Sequence, residues 1–202
     1  MNMQSGLKTL ATAAGIFLAM TLLCGVIYTA VCTGIGQLVF PFQANGSIVT
    51  GNDGKQYSMI LGQEFSDENH LWGRVVNTNT ETFTDKDGNA LEWAGPSNLS
   101  PASEDYRALV AERVAMIEAA HPEKEGIPIP NDLVTCSGSG LDPDISPAAA
   151  EYQVERLAKS TGKTPEEIRD IIAACTTGPT FGVLGDSRVN VLKVNLMLDG
   201  VL

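Results

Sequence analysis

The chain is 202 residues long and acidic, with 24 Asp and Glu against 13 Lys and Arg and a formal net charge of −11 at pH 7. That balance argues against a nucleic-acid partner, which wants a basic face. Four cysteines without a Cys-x-x-Cys pair, and only two histidines (His70 and His121), argue against a structural zinc site.

No residue between Lys8 and Asp53 carries a formal charge. The 22 residues from Leu10 to Val31 are apolar apart from Thr12, Thr21, Tyr28, Thr29 and two glycines. Roughly 20 helical residues at about 1.5 Å each cross a hydrocarbon core about 30 Å thick, so this stretch predicts a transmembrane helix over residues 10–33. Three other readings compete. A cleavable signal peptide has a shorter apolar stretch, typically about 7 to 15 residues. A lipoprotein site at Cys24 needs a small residue where Leu23 stands, and a buried core helix shows polar positions at helical spacing. Every acid lies at or beyond Asp53 and only Lys8 of the basic residues precedes it, leaving a formal −12 on the rest. A tail of residues 1–9 holding Lys8 fits the cytoplasmic side of a cell membrane, with residues 34–202 a single extracytoplasmic domain. No Gly/Ser/Pro linker divides that domain, so one core is expected.

Beyond the span, Ser47 to Phe65 holds two β-prone runs around Gly51-Asn52-Asp53-Gly54, which predicts a hairpin. The polar stretch 77–89, with a turn signal at Asp87-Gly88, reads as surface loop with room for a second short hairpin. Ser103 caps an amphipathic helix from Glu104 to Ala120, whose apolar face carries Tyr106, Leu109, Val110, Val114, Ile117 and Ala120. Leu133 to Cys136 resembles a strand and runs into Ser137-Gly138-Ser139-Gly140. Ser146 and Pro147 start a helix that Gly162 ends near Ser160, and Thr164 with Glu167 forms a capping box for the next, which closes near Cys175. Alternation of Leu192, Val194, Leu196 and Leu198 predicts a strand over 189–198. The fold class is a mixed α+β (α/β) domain tethered by one N-terminal transmembrane helix.

Chemistry is sparse. Residues 137–143 (SGSGLDP) are glycine-rich but lack the Lys-Ser/Thr of a phosphate loop, so a tight turn is the simpler reading. Ser139 lacks the first glycine of a hydrolase elbow, since Ser137 occupies its place. Asp132, Asp142 and Asp144 fit no calcium-loop spacing, and caps and turns explain them. Trp72 reads as core or interface, and Arg74 as solvated unless it pairs a carboxylate. Cys24 and Cys32 are packing residues in the span, whereas a Cys136–Cys175 bridge stays open. The residues alone support an anchored extracytoplasmic domain without visible catalysis or intrinsic cofactor; an anchored hydrolase and a solute-binding module are the alternatives.

Several segments together resemble the C-subunit (KdpC) family of the Kdp potassium-transporting P-type ATPase. They are 43–47 (QANGS), 61–65 (LGQEF), Trp72-Gly73-Arg74, Gly95-Pro96-Ser97-Asn98, 132–154 and Arg188 to Leu192 with Asn195 and Asp199. The resemblance covers most of the chain. It implies a single-span accessory subunit whose partners are a channel-like A subunit, an ATP-hydrolysing B subunit, a small F subunit and the lipid bilayer. ATP, with magnesium, is used by the complex, and the family is described as a catalytic chaperone raising the B subunit's ATP affinity. Partner-contact candidates carried over are Trp72, Gly73, Arg74, Ser137, Gly138, Ser139, Gly140, Leu141, Asp142, Pro143, Ile145, Ser146, Pro147, Glu151, Gln153, Asn190 and Asn195. The chain departs from the family pattern at Asp144, where His is expected, and at Cys136, where a small residue is usual.

Overall fold

The computed structural model describes residues 3–202, which fall into two compact units, one ending at Ile48 and one running Val49–Leu202. In the first, α1 (Met3–Met20), a π-helical segment (Thr21–Tyr28) and α2 (Thr29–Val39) follow without a break. Uninterrupted apolar side chains and the lack of proline before Pro41 let the helix continue. Phe40 leaves helical geometry at φ −131°, and Pro41 then opens the short α3 (Pro41–Ala44). In the π segment the wider turn accommodates Gly25, and the Thr29 hydroxyl donates to the Cys24 carbonyl five residues back at 3.3 Å. Gln37 and Asn45 form a reciprocal amide pair at 3.0 and 3.3 Å.

Gly6–Val39 is a 34-residue helical run whose most apolar 18-residue window has a mean hydropathy of 2.3, with none of that window buried within the chain. A core helix would be mostly covered. At about 1.5 Å per residue this run is about 50 Å long, more than a bilayer's hydrocarbon core requires, and it extends beyond residue 33, the end the sequence suggests.

The second unit opens with the expected hairpin, β1 (Ile48–Thr50) against β2 (Gln56–Ser58), whose turn places Gly54 at φ +77°. The polar stretch folds as a second hairpin, β3 (Thr78–Thr84) with β4 (Ala90–Ala94), turning through Gly88 at φ +83°. Helix α4 (Glu104–Ala120) carries the Ser103 cap, which accepts from the Tyr106 amide at 3.2 Å. Ile117 alone of its apolar face is fully buried, and Leu109 is exposed. After α4, the Ser146-capped helix appears in two pieces, α5 (Pro147–Tyr152) and α6 (Val154–Thr161), and α7 (Pro165–Ala174) carries the Thr164–Glu167 capping box. A small antiparallel sheet of β5 (Asp144–Ile145), β6 (Thr176–Thr177) and β7 (Arg188–Asn190) has β7 in its centre.

Two expectations are overturned. Residues 191–198 form a helix, α8 (Val191–Leu198), not a strand. The Asn190 side chain caps it, accepting from the Lys193 amide at 3.0 Å, and Val191, Leu192, Val194, Asn195 and Leu196 are all buried. A segment covered on nearly all sides reads as continuously apolar, so period two and period 3.6 fit it equally. Residues 133–136 are not a strand either: Asn131–Leu133 is a 3-10 turn, and one parallel bridge joins Cys136 to Val75. The open Cys136–Cys175 bridge is not formed; both thiols are free, and the buried Cys175 Sγ lies 3.4 Å from Met197 Sδ.

The core gathers Leu71, Trp72, Ile117, Leu133, Ile145, Leu157, Ile168, Val189 and Val194. Two buried amides run through it. Gln153 accepts from the Trp72 amide at 2.8 Å and donates to the Trp72 carbonyl at 2.9 Å. Asn195 treats Leu71 the same way, at 2.7 and 3.0 Å. Residues 71–72 thus lie in the core without a strand partner, their backbone satisfied by side chains. Gln153→Leu keeps the bulk and orphans two backbone groups at about 1–3 kcal/mol each, so it should lower unfolding free energy by about 2–6 kcal/mol. Denaturant unfolding of the full chain in detergent, followed by tryptophan fluorescence, measures this.

Candidate functional site

The sequence singles out residues 132–147 and Trp72-Gly73-Arg74, and the fold brings them together. Three loops converge on the glycine-rich turn. The Gly62 amide donates to Leu141 O at 2.8 Å, the Asn77 amide donates to Gly140 O at 3.0 Å, and Asn77 Nδ2 reaches Gly95 O at 2.8 Å. Gly140 has φ +74°, and a Cβ there would sit 2.5 Å from Gly95 O and 2.7 Å from Asn77 O. Glycine is therefore required twice over, by backbone conformation and by space.

Within the turn the serines act on the backbone. Ser137 Oγ accepts from the Gly140 amide at 3.0 Å, Ser139 Oγ accepts from the Leu141 amide at 3.3 Å, and the two hydroxyls lie 3.1 Å apart. Further along, Asp142 accepts from the Asp144 amide at 3.1 Å and Asp132 from the Ser146 amide at 2.7 Å. These amides are spent internally, and three carboxylates stand along the segment, so the turn does not fit a phosphate. A Ser-His pair is not assembled either. The ring nitrogens of His70 contact Asp67 and Asp199, and those of His121 contact Ile117 O and Arg156. Among the described residues no group of three or more His, Cys, Asp or Glu is poised to hold a metal ion.

Arg74 is not a solvated surface arginine. Its guanidinium donates to Cys136 O at 3.3 Å and Thr135 Oγ1 at 3.4 Å, and lies 3.7 Å from Asp132 and 3.9 Å from Asp142. Asp144 pairs with Arg188 Nε at 3.2 Å and accepts from Asn190 Nδ2 at 3.1 Å. Burial nonetheless pushes its carboxyl above the ordinary range, against the pull of Asn190 and Arg188. Asn190 Nδ2 also donates to Met59 O at 2.9 Å, so one side chain caps α8, holds Asp144 and ties down the loop after β2.

Of the candidates, Trp72, Gly73, Gly140, Ile145, Gln153 and Asn195 are buried in the domain's own fold, and Arg74, Ser137, Leu141, Asp142, Pro143, Ser146 and Asn190 are half-buried. Gly138, Ser139, Pro147 and Glu151 are exposed, Glu151 in a bidentate pair with Arg169.

The sequence reading missed Arg156. This buried guanidinium donates to the carbonyls of Glu68 at 2.6 Å and His70 at 2.9 Å, to Gln153 Oε1 at 2.8 Å and to His121 Nε2 at 3.0 Å. It also stacks on Trp72, 4.6 Å from the ring centroid. Burial lowers its pKa to about 10, so it stays charged at neutral pH. Helical spacing gave no signal for it: Val154, Leu157 and Ala158 share one face of α6, and Arg156 falls on the other side. Because His121 accepts from Arg156 and its Nδ1 contacts Ile117 O at 2.8 Å, the ring is the neutral Nδ1–H tautomer. His70 is the opposite case: Nδ1 lies 2.6 Å from Asp67 and Nε2 lies 3.1 Å from both Asp199 oxygens. A carboxylate at each nitrogen calls for both N–H groups, hence the imidazolium.

A long apolar helix able to cross a membrane and a folded domain of mixed α+β structure together define the class as a small membrane-associated chain. The family model described as "K+-transporting ATPase, c chain" (KdpC) matches residues 10–200. Similar proteins include the potassium-transporting ATPase KdpC subunits of Clostridium botulinum (strain Eklund 17B / Type B) and Clostridium perfringens. The first is 56% identical over 187 residues, 93% of each chain; the second is 53% identical over 186, 92% of this chain and 93% of its own. The KdpC subunit of Burkholderia orbicola (strain MC0-3) is 45% identical over 184 residues, 91% of this chain and 92% of its own. The chain belongs to the KdpC family and is an accessory subunit of a potassium-transporting ATPase.

Gly140→Ala should cost about 3 kcal/mol of stability through backbone strain and carbonyl overlap. Gly138→Ala, whose added Cβ meets nothing within 4 Å, should stay within about 0.5 kcal/mol in the same unfolding experiment.

The two histidines should titrate on opposite sides of 6.5 in an NMR titration of the imidazole carbons. Burial opposes the charge on His70, but its bonds to Asp67 and Asp199 outweigh it and raise the pKa; burial lowers that of His121. Stability from His70 is therefore fully present below 6.5 and lost as pH rises through its raised folded value. His70→Gln should flatten that alkaline decline.

Proposed function

We propose that this chain holds the Kdp pump together from the outer side of the membrane. Its bare N-terminal helix lies among the membrane parts of the channel-like A subunit, the ATP-hydrolysing B subunit and the small F subunit. The single observation that carries this is the 34-residue helix whose most apolar window has no residue buried by its own chain. Without a hydrophobic driving force between helices in lipid, close packing on small residues such as Ala13, Ala14, Gly15, Ala19 and Gly25 supplies the association. Lys8 stays in the cytoplasm under the positive-inside bias, and the acidic domain lies outside.

ATP and its magnesium belong to the B subunit. The raised ATP affinity described for the family reaches the nucleotide as a coupling between conformations through the membrane part, because an outer domain cannot touch it. The internally spent amides of residues 137–146 support this division of labour.

Purification of the tagged chain from its native membrane in mild detergent should bring down two larger membrane proteins with potassium-stimulated ATP hydrolysis that requires this chain. Recovery of the chain alone would overturn the proposal. Orientation is read separately: a membrane-impermeant thiol reagent applied to intact cells should label Asp87→Cys on the outside, and labelling only after lysis would reverse the topology.

A further inference from the structure

The turn after β6 shows three apolar side chains to solvent: Phe181 is 90% exposed, Val183 79% and Leu184 61%. It is a built feature rather than a slack loop. Thr180 and Leu184 exchange two backbone hydrogen bonds, at 2.8 and 3.0 Å, and the Gly182 amide donates to Pro179 O at 3.0 Å. Phe181 stands at φ +55°, a left-handed conformation costing a non-glycine residue about 1–2 kcal/mol, while Gly182 and Gly185 share the positive region freely. Strain is thus held by the turn's own bonds in a geometry that leaves the phenyl ring uncovered. Water is a poor partner for that arrangement.

Three occupants compete, and charge and area separate them. A second copy would bring together two domains of formal charge −12 through roughly 400 Å² of apolar side chain, well under the roughly 1,000 Å² that a free-standing interface buries. A lipid surface takes up Trp, Phe or Leu when basic residues beside them meet the headgroups, and residues 176–185 supply Phe181 and Leu184 but no basic residue. An apolar recess in a protein suits both the missing charge and the fixed turn. The small area suffices there because chain and partner share one membrane, which raises their effective concentration.

We infer that the Phe181-Gly182-Val183-Leu184 turn is a plug by which the domain seats in an apolar recess of one of the larger membrane subunits of the pump. The inference rests on the accessory-subunit reading above. Phe181 is the anchor, and Val183 and Leu184 exclude water around it.

The test uses the full chain within the pump. With the photoreactive residue p-benzoylphenylalanine at position 181, illumination of native membranes should cross-link the chain to one of the two larger subunits. In parallel, Phe181→Ser with Val183→Ser and Leu184→Ser should reduce retention of the chain on the detergent-solubilised pump at least about tenfold. Its thermal unfolding should match the wild type, since these side chains are exposed. Cross-linking to a second copy or to lipid alone, or unchanged retention of the triple variant, would overturn the inference and leave the accessory-subunit reading intact. A wild-type chain retained on no pump subunit would overturn both.

Discussion

The domain depends on one buried guanidinium. Arg156 takes its charge into the core and answers it with the carbonyls of residues 68 and 70, the Gln153 amide oxygen, a neutral histidine and the face of Trp72. A guanidinium offers five donors in a fixed fork, and few other side chains could satisfy so many acceptors from one point. Ser160 and the Trp72 indole also donate to the carbonyls of Glu68 and Asp67, but the His70 carbonyl and His121 Nε2 depend on Arg156. With it, the bend is rigid, and the next two residues are passed on to Gln153 and Asn195. The middle of the domain is therefore a stretch of irregular chain held by side chains, with short strands and helices arranged around it.

This explains why so little regular sheet is needed. The only three-stranded sheet among the described residues has strands of two and three residues, and β7 between them leads into α8 through Asn190. That cap also reaches Asp144 and the loop at Met59. Both family-motif segments, 132–147 and 188–195, are thus tied to one polar framework. The glycine-rich turn owes its composition to three crossing backbones.

The apolar surface outside this framework is distributed unevenly. Exposed apolar side chains occur singly at Leu109 and Ile127 and on the β3–β4 hairpin at Phe83, Leu91 and Trp93, but they are most extensive on the N-terminal helix and, within the domain, most fully exposed at Phe181 and Val183. For a subunit of a potassium-transporting ATPase, incompleteness of this kind is expected of surfaces meant for other chains. An isolated soluble domain would cover them or make them polar.

Much was legible in the sequence. The uncharged run before Asp53, the Ser103, Ser146 and Thr164 caps, the break at Gly162, and both hairpin turns rest on local chemistry: positive φ and side chains reaching back to amides. Such signals are complete within a few residues. The resemblance to the KdpC family was legible too, from unusual segments such as 132–154. What only the tertiary structure decided was every choice between local options of similar energy. Val191–Leu198 is apolar enough for strand or helix, and the surroundings that bury nearly all of it, with the cap at Asn190, settled on the helix. Arg156 reads as a surface residue until Trp72, from 84 positions earlier, lies under it. Burial is a property of the assembled chain, so the residues whose meaning depends on it became readable only once the distant segments had met.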